Sequence, residues 1–409
     1  MTAEGDADYL TTAQVARRLR VKPETVYAYV SRGLLTSVRA RGRRGSLFAV
    51  ADVEQLASRS VEHSGVVEEI ESALTLQSGD ELYYRGRSVP ELARTSTLES
   101  VAHLLWTGEL TEQPPFPVHR DSVNLARAAM AVLPPTARLT DQLRVAVAAL
   151  GAADPLRFDL EPTSITTAAR TLLGTLITAL PGPTASPNTS PGTRLWLKLR
   201  ATPGTPGTPG TPGTPPQQAR PELLDAALIL LADHGLAVST VAARVAASAR
   251  ANLYAVVSAG LGALDGQYHG TAPTLAYEFL DRAKHDPLGA LSDRLRTGAP
   301  IPGFGHKIYR TRDPRAEVLF TLLGDAPILQ VIQTIADHTK SFPNSDLAIA
   351  ALMHAHNLRP DAGETLFALA RITGWTAHAL EEYAAPPLRF RAPGIYTGTR
   401  HDLEHASAT

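Results

Sequence analysis

The sequence predicts a mainly all-α protein in which a small basic unit precedes a large helical body. Three observations predict it. From about residue 61 onward, Ala/Leu/Val-rich runs recur with apolar residues three and four apart, the period of a helix with one buried face. Alternating strand-like runs are scarce over the same span. The first sixty residues differ in charge from everything after them, which divides the chain into expected parts 1–60 and 61–409. At 409 residues the chain exceeds one ordinary domain and can bury a sizeable core. A formal net charge of -1 gives the protein as a whole no preference for a polyanion. The absence of cysteine excludes disulfides, thiolate metal sites and cysteine nucleophiles. The N-terminus has no basic region followed by an apolar run, and no segment approaches the apolar length that crosses a bilayer, so a cytoplasmic location is expected.

In the N-terminal part, residues 11 to 50 carry nine Lys/Arg against the single acid Glu24, a balance of +8. "TTAQVARRLRVKPETVYAYVSRGLL" gives two short helical patterns, one from Thr12 to Leu19 and one from Pro23 to just before Gly33. Pro23 suits a first helical turn, and the break Arg20–Lys22 has the length of a helix-turn-helix turn. "RARGRRGSLFAV" then reads as a basic β-wing with Ser46–Val50 as its second strand. This order resembles the winged helix-turn-helix of MerR and excisionase-type DNA-binding domains. The resemblance implies that Thr25, Tyr27, Tyr29 and Arg32 lie on or just after a groove-entering helix, and that wing arginines such as Arg43 and Arg44 meet phosphates. The plainer alternative is a solvated basic face on a small helical cap.

In the body, "LARAAMAVL", "LRVAVAAL", "ITTAARTLLGTLITAL" and "LLDAALILLADHGL" read as helices. "VAARVAASARANLYAVVSAGLGAL" is apolar nearly all round and is expected to lie buried between others. "PGPTASPNTSPGT" and four Thr-Pro-Gly copies from Thr202 to Gly213 predict a low-complexity loop over 181–216, since proline denies a helix and glycine denies stiffness.

Several residues could carry chemistry. His234 stands in "LADHGLAVST" near a helix end; His269, in "GQYHGTA", sits on a helix-to-helix turn; His306 opens the charged loop "PGFGHKIYRTRDPR". Asp346, in "FPNSDLAIAAL", is placed where its carboxylate would cap a helix. Arg371 interrupts an apolar helix, and "PPLRFRAPGIYTG" supplies Arg391. Arginine clusters suit carboxylates or phosphates. His354 and His356, two apart, point to different faces and make a poor metal pair, and Gly260, Gly262 and Gly266 follow no strand and so do not form a dinucleotide loop.

"SALTLQSGDELYYRGRSVPELARTSTLESVAHLLWTGEL", "LLADHGLAVST", "GQYHGTA", "PGFGHKIYRTRDPRA", "PNSD" and "LFALARITGWTAHALEEY" stand in the sequence order of citrate synthases, and the resemblance covers about Val61 to Gly398. It implies an almost all-helical homodimer whose small domain, here about 271–380, closes over substrate. It further implies that Asp346 is the base that takes a methyl proton from acetyl-CoA, that His269 donates to the thioester oxygen, and that His306 polarises the ketone of oxaloacetate. His234, Arg315, Arg371 and Arg391 of the partner subunit would hold the carboxylates, with Arg310 and Lys340 near the CoA phosphates. The CoA ester is a substrate, and no metal or other cofactor is implied.

The chemistry agrees with such roles. A carboxylate cannot deprotonate a thioester unaided, so a positioned donor must meet the developing oxyanion, and three arginines match a keto-diacid in charge and fork geometry. Two departures fall near the acyl site: the His269 motif ends in Ala272-Pro273 rather than Ala-Asn, and "LAIAAL" follows Asp346 in place of small residues. They leave 2-methylcitrate synthesis from propionyl-CoA open. The N-terminal unit opens a reading of another class, a DNA-binding regulator with a citrate-synthase-like ligand-sensing body; its plainer alternative is a module for oligomer contacts.

Overall fold

The computed structural model describes residues 9–19, 21–31, 34–38, 46–53, 70–201 and 219–390. The chain divides into two compact units, Met1–Ile70 with Leu388–Thr409, and Glu71–Pro387.

In the first unit, β1 (Tyr9–Thr11) leads into α1 (Thr12–Arg18), followed by α2 (Pro23–Ser31), β2 (Ser37–Val38) and β3 (Leu47–Ala49). Thr11 starts α1 through a reciprocal cap: its hydroxyl accepts from the Gln14 amide, and the Gln14 side chain accepts from the Thr11 N–H. The strands pair antiparallel in the order β1-β3-β2, with Leu10 and Ser37 both opposite Phe48. Val15, Ala16, Val26, Leu35, Phe48 and Val53 form the unit's core. Both expected helices are present, and β3 is the expected wing strand; β1 was not foreseen, because three residues carry too little alternation to register. Thr25 is half-buried and Tyr27 is exposed on α2. Arg32, Arg43 and Arg44 lie outside the described residues.

The second unit opens with a small antiparallel sheet, β4 (Thr75–Ser78), β5 (Glu81–Tyr84) and β6 (Arg87–Ser88). These ten residues are the strands of a body that is otherwise helical among the described residues, as expected. Gly79, at φ 59°, makes the tight turn between β4 and β5. Helices follow: α3 (Val89–Thr95), α4 (Leu98–Thr107), α5 (Arg120–Met130), α6 (Leu139–Ala153), α7 (Pro162–Ala179), α8 (Pro191–Leu199), α9 (Pro221–Leu231) and α10 (Val238–Ser248). After them come α11 (Leu253–Leu264), α12 (Ala272–Ala283), α13 (Pro287–Thr297), α14 (Pro314–Leu323), α15 (Pro327–Ala336), α16 (Ser345–Ala355) and α17 (Ala362–Ala384). α9 and α17 are buried along most of their length, and the main core gathers around them. A separate core of Phe279, Ala283, Leu291 and Ile335 joins α12, α13 and α15. Among the described residues no helix is long and apolar enough to cross a membrane.

Two expectations are corrected. The span 181–216 is not loop throughout, because α8 forms inside it. Ser190 caps that helix, Pro191 starts it, and Leu195, Trp196 and Leu199 seat it in the core. The Thr-Pro-Gly copies themselves lie outside the described residues. The long apolar run is two helices rather than one, broken where Asn252 caps α11 and Arg250 takes a left-handed φ of 60°. It is not wholly buried either: Val245 on α10 is exposed.

Gly260 on α11 serves packing. A Cβ there would fall 2.6 Å from the indole of Trp375, a fully buried ring on α17. Gly260→Ala is therefore expected to cost about 1–3 kcal/mol by overpacking, read as a lower midpoint in thermal unfolding; an unchanged midpoint would contradict this packing.

Candidate active site

His234 follows the end of α9, and its Nε2 lies 2.9 Å from the Tyr309 hydroxyl. His306 lies beside it, with ring centroids 5.2 Å apart at 84°. His269 sits on the turn between α11 and α12, with Nε2 2.7 Å from the Ser239 hydroxyl and its ring edge-on to Phe367 at 5.5 Å. All three imidazoles are held neutral. Burial pushes His269 and His306 down to about 4, helped by the Arg371 charge for the first and Arg315 for the second. His234 is pushed well below its ordinary value, again chiefly by burial, with Arg315 and Arg371 adding to it.

The proton of neutral His306 can be placed. Its Nδ1 accepts from the backbone N–H groups of Ile308 (3.0 Å) and Tyr309 (3.3 Å), so Nε2 carries the hydrogen and is free to donate it. The Arg315 Nη2 stands 3.5 Å from that Nε2. With Nδ1 already an acceptor, a second accepted bond would leave the ring without a proton, so this approach is a contact and not a hydrogen bond.

The His306 loop is bolted to the start of α16. Gly303 and Gly305 both take positive φ (79° and 76°), and a Cβ on Gly303 would fall 2.6 Å from the Leu347 Cβ. The close approach Gly303 allows is thus to α16, while a Cβ on Gly305 would fall 2.9 Å from the Ser341 hydroxyl before that helix. Gly305 N–H donates to Phe342 O, and Asn344 N–H donates to Gly303 O. Asn344 then works in both directions. Its Oδ1 accepts from the Asp346 and Leu347 amides, while its Nδ2 donates to Gly305 O at 2.8 Å. The helix cap is therefore Asn344, which corrects the expectation that Asp346 caps it. Asp346 stands one residue into the helix, half-buried, with its carboxylate free of hydrogen bonds among the described residues. Burial pushes that carboxyl up to about 6, with Arg315 and Arg371 opposing and Asp313 reinforcing.

The two buried arginines differ. Arg315 forms a fork–fork pair with buried Asp313 (3.0 and 2.8 Å), and Asp313 also accepts from the Ser345 N–H. Arg371, 1% exposed, donates from Nε to Leu231 O at 2.9 Å and lies over the Phe367 ring. Its Nη1 has no partner among the described residues. A buried guanidinium N–H without an acceptor is costly unless an anion or water completes it.

The remaining predicted residues are dispersed. Arg310 and Lys340 are exposed, and Arg310 lends its N–H to Asp80, which also accepts from Thr311 and so fastens the loop to the β4–β5 turn. Arg391 lies outside the described residues. His354 stacks on Tyr277 and His356 meets Trp196 edge-on, so the two do diverge. Among the described residues no group of three or more His, Asp or Glu could hold a metal ion. A cavity of about 620 Å³ walled by α5, α6, α7 and the start of α11 contains none of the predicted residues.

The family model "Citrate synthase, C-terminal domain" matches residues 64–391. The chain belongs to the citrate synthase family. It is an enzyme of the citrate synthase type. A helix-turn-helix domain model matches residues 9–60. A citrate synthase of Haloferax volcanii is 34% identical over 203 residues, 46% of this chain and 53% of that protein. A 2-methylcitrate synthase of Mycobacterium tuberculosis H37Rv is 28% identical over 347 residues, 78% of this chain and 84% of that protein. The crystal structure of citrate synthase from Thermotoga maritima superposes with a TM-score of 0.62 at 25% identity, over 82% of this chain and 95% of that one.

Ser239, Phe367, Asp313, Asn344, Tyr309 and Asp80 escaped the reading of the sequence. Ser239 stands in the same quoted stretch as His234, and Asn344 and Asp313 are neighbours of residues that were singled out. Asn344→Ala is expected to destabilise the protein by more than the roughly 1 kcal/mol of a lone cap, because the tie to Gly305 is lost with it. Asn344→Asp keeps the cap acceptor and should recover only part. Denaturant unfolding showing both variants equal to wild type would contradict the cross-tie.

Proposed function

We propose that the body condenses acetyl-CoA with oxaloacetate and hydrolyses the resulting thioester to citrate and CoA. One observation carries this reading: a carboxyl raised to about 6, neutral imidazoles and a buried guanidinium with an open N–H act on one another within one region. Asp346 takes the methyl proton. Ser239, donating to Nε2 of His269, leaves that ring an Nδ1–H for the thioester oxygen as negative charge builds there. The carbon so activated attacks the ketone of oxaloacetate, whose oxygen receives the Nε2–H of His306. His234, Arg315, Arg371 and Arg391 of the partner subunit take the carboxylates, and Arg310 and Lys340 the CoA phosphates. Water then cleaves the thioester. The separate core of α12, α13 and α15 supports a small domain around those helices that closes over the substrates; the proposed bounds of about 271–380 also take in α17, which lies in the main core.

Two copies are needed for that set. α11 offers a face for the second: Ala255, Ser258, Ala259, Gly262 and Ala263 form an exposed or half-exposed stripe of small residues, beyond which Tyr268 stands 92% exposed. The cytoplasm is the proposed location. Propionyl-CoA is the alternative donor, left open by the departures at Ala272-Pro273 and in "LAIAAL" after Asp346. A thiol-release assay with each CoA ester and oxaloacetate tests both readings: CoA release with neither ester would overturn them.

The pH dependence follows from sign. Asp346 acts deprotonated, so kcat/KM for the CoA ester should be full above about 6 and fall as pH drops through it. The imidazoles, neutral down to about 4, add no limb near 6.5. Asp346→Asn should keep the fold and lose about 10²–10⁴-fold in turnover. Turnover within tenfold of wild type would reject the base.

The second reading, a DNA-binding regulator, rests on the matched helix-turn-helix and on Tyr27 standing exposed on α2. Duplex affinity of the full chain should fall steeply with added salt as counterions are displaced. Fluorescence anisotropy on mixed-sequence duplexes checks it, and no binding at low salt would leave the unit a structural cap.

A further inference from the structure

Among the described residues the His269 ring is held by Ser239 and Phe367, and the turn that carries it is short. Gly270 N–H donates to Leu264 O, and His269 N–H to Gly266 O. What fixes such a turn must act on its two shoulders. One is Asp265, at the end of α11; the other is Thr274, in the first turn of α12, immediately after Pro273, which has no N–H to give.

We propose that Arg138 is a positioning residue for His269, holding both shoulders of its turn through Asp265 and Glu364. The inference rests on the role given to His269 above. Arg138 precedes α6. Its Nη2 meets Asp265 Oδ1 at 2.5 Å, and its Nη1 meets Glu364 Oε2 at 3.2 Å. The other oxygen of Glu364 accepts from the Thr274 hydroxyl at 2.7 Å. Glu364 lies on α17 three residues before Phe367, the ring that faces His269. One guanidinium therefore ties together the two helices flanking the turn and the helix that packs on the imidazole. Asp141 pairs with the same guanidinium at 3.2 Å, and Arg144 holds the second oxygen of Asp265 at 3.0 Å. Next to Arg138, Leu139 N–H donates to Asp361, which is paired with Arg359.

Charge makes the tie directional. Arg138 and Arg144 face Asp141, Asp265 and Glu364. Without Arg138, one cation would face three acids, and Asp265 and Glu364 would repel each other across the turn. Glu364 is 5% exposed at its side chain, so its charge cannot be left to water. A lysine would keep the charge but, as a point donor, could not span all three carboxylates in one geometry.

The test uses the full chain with Arg138→Gln and two readouts. In CoA release, kcat should fall about tenfold or more, since small displacements of a catalytic group cost that much, while KM for oxaloacetate stays within about twofold, a split that a general loss of structure would not produce. In NMR of ¹³C-labelled histidine, with His269→Gln to identify the signal, the His269 titration should move up by about one unit as the ring loosens toward water. Arg138→Lys should restore part of both and serves the same comparison where Arg138→Gln does not fold. Unchanged kcat with an unchanged His269 titration in a folded variant overturns the proposal. If wild type itself releases no CoA, the functional reading fails, and the titration alone decides whether Arg138 positions the ring.

Discussion

The site depends on the antiparallel contact between residues 303–305 and 342–345. Asn344 caps α16 with one atom of its amide and holds the His306 loop with the other, while Asp313 accepts from Ser345 and forks to Arg315. A single crossing therefore sets the placement of a histidine donor, a cationic side chain and a carboxylate. Gly303 makes it possible, because no side chain fits where its backbone passes Leu347. These groups would otherwise sit on separate loops, and reactive geometry held by loops alone is imprecise.

Electrostatics then follows from burial and from the two arginines. The guanidinium charges that add to burial in keeping the imidazoles neutral also oppose the rise of the Asp346 carboxyl. Burial outweighs that opposition and leaves the carboxyl near 6, where it is ionised at neutral pH yet basic enough to accept a proton. Arg315 is neutralised by Asp313, whereas Arg371 keeps an open N–H. The site is thus prepared for an anion more than for a neutral molecule.

The helical body was legible because the 3.6-residue period survives in long runs, and the candidate histidines, Arg371 and Asp346 could be singled out because they stand in short ordered motifs. What stayed hidden depends on contacts between distant positions. Asp80 reaches the amides of Arg310 and Thr311 across about 230 residues, and Asn344 reaches Gly305 across 39. Asp346 was read as a cap because aspartate near a helix start ordinarily caps; Asn344, two residues earlier, won that place with its two-way amide. The short strands β4 to β6 carried too few residues for alternation to show, and α8 lay between two proline-rich stretches that masked its amphipathic "RLWLKL".

The central claim is that the open N–H of Arg371 is where a substrate carboxylate seats. Isothermal titration of oxaloacetate into the full-length wild type and into Arg371→Met, without any CoA ester, measures it most directly. The account predicts binding by wild type and a loss of roughly a hundredfold or more in the variant, the cost of removing a charge-assisted pair from a buried site, with the unfolding midpoint not lowered. Equal affinity in the two proteins would contradict it.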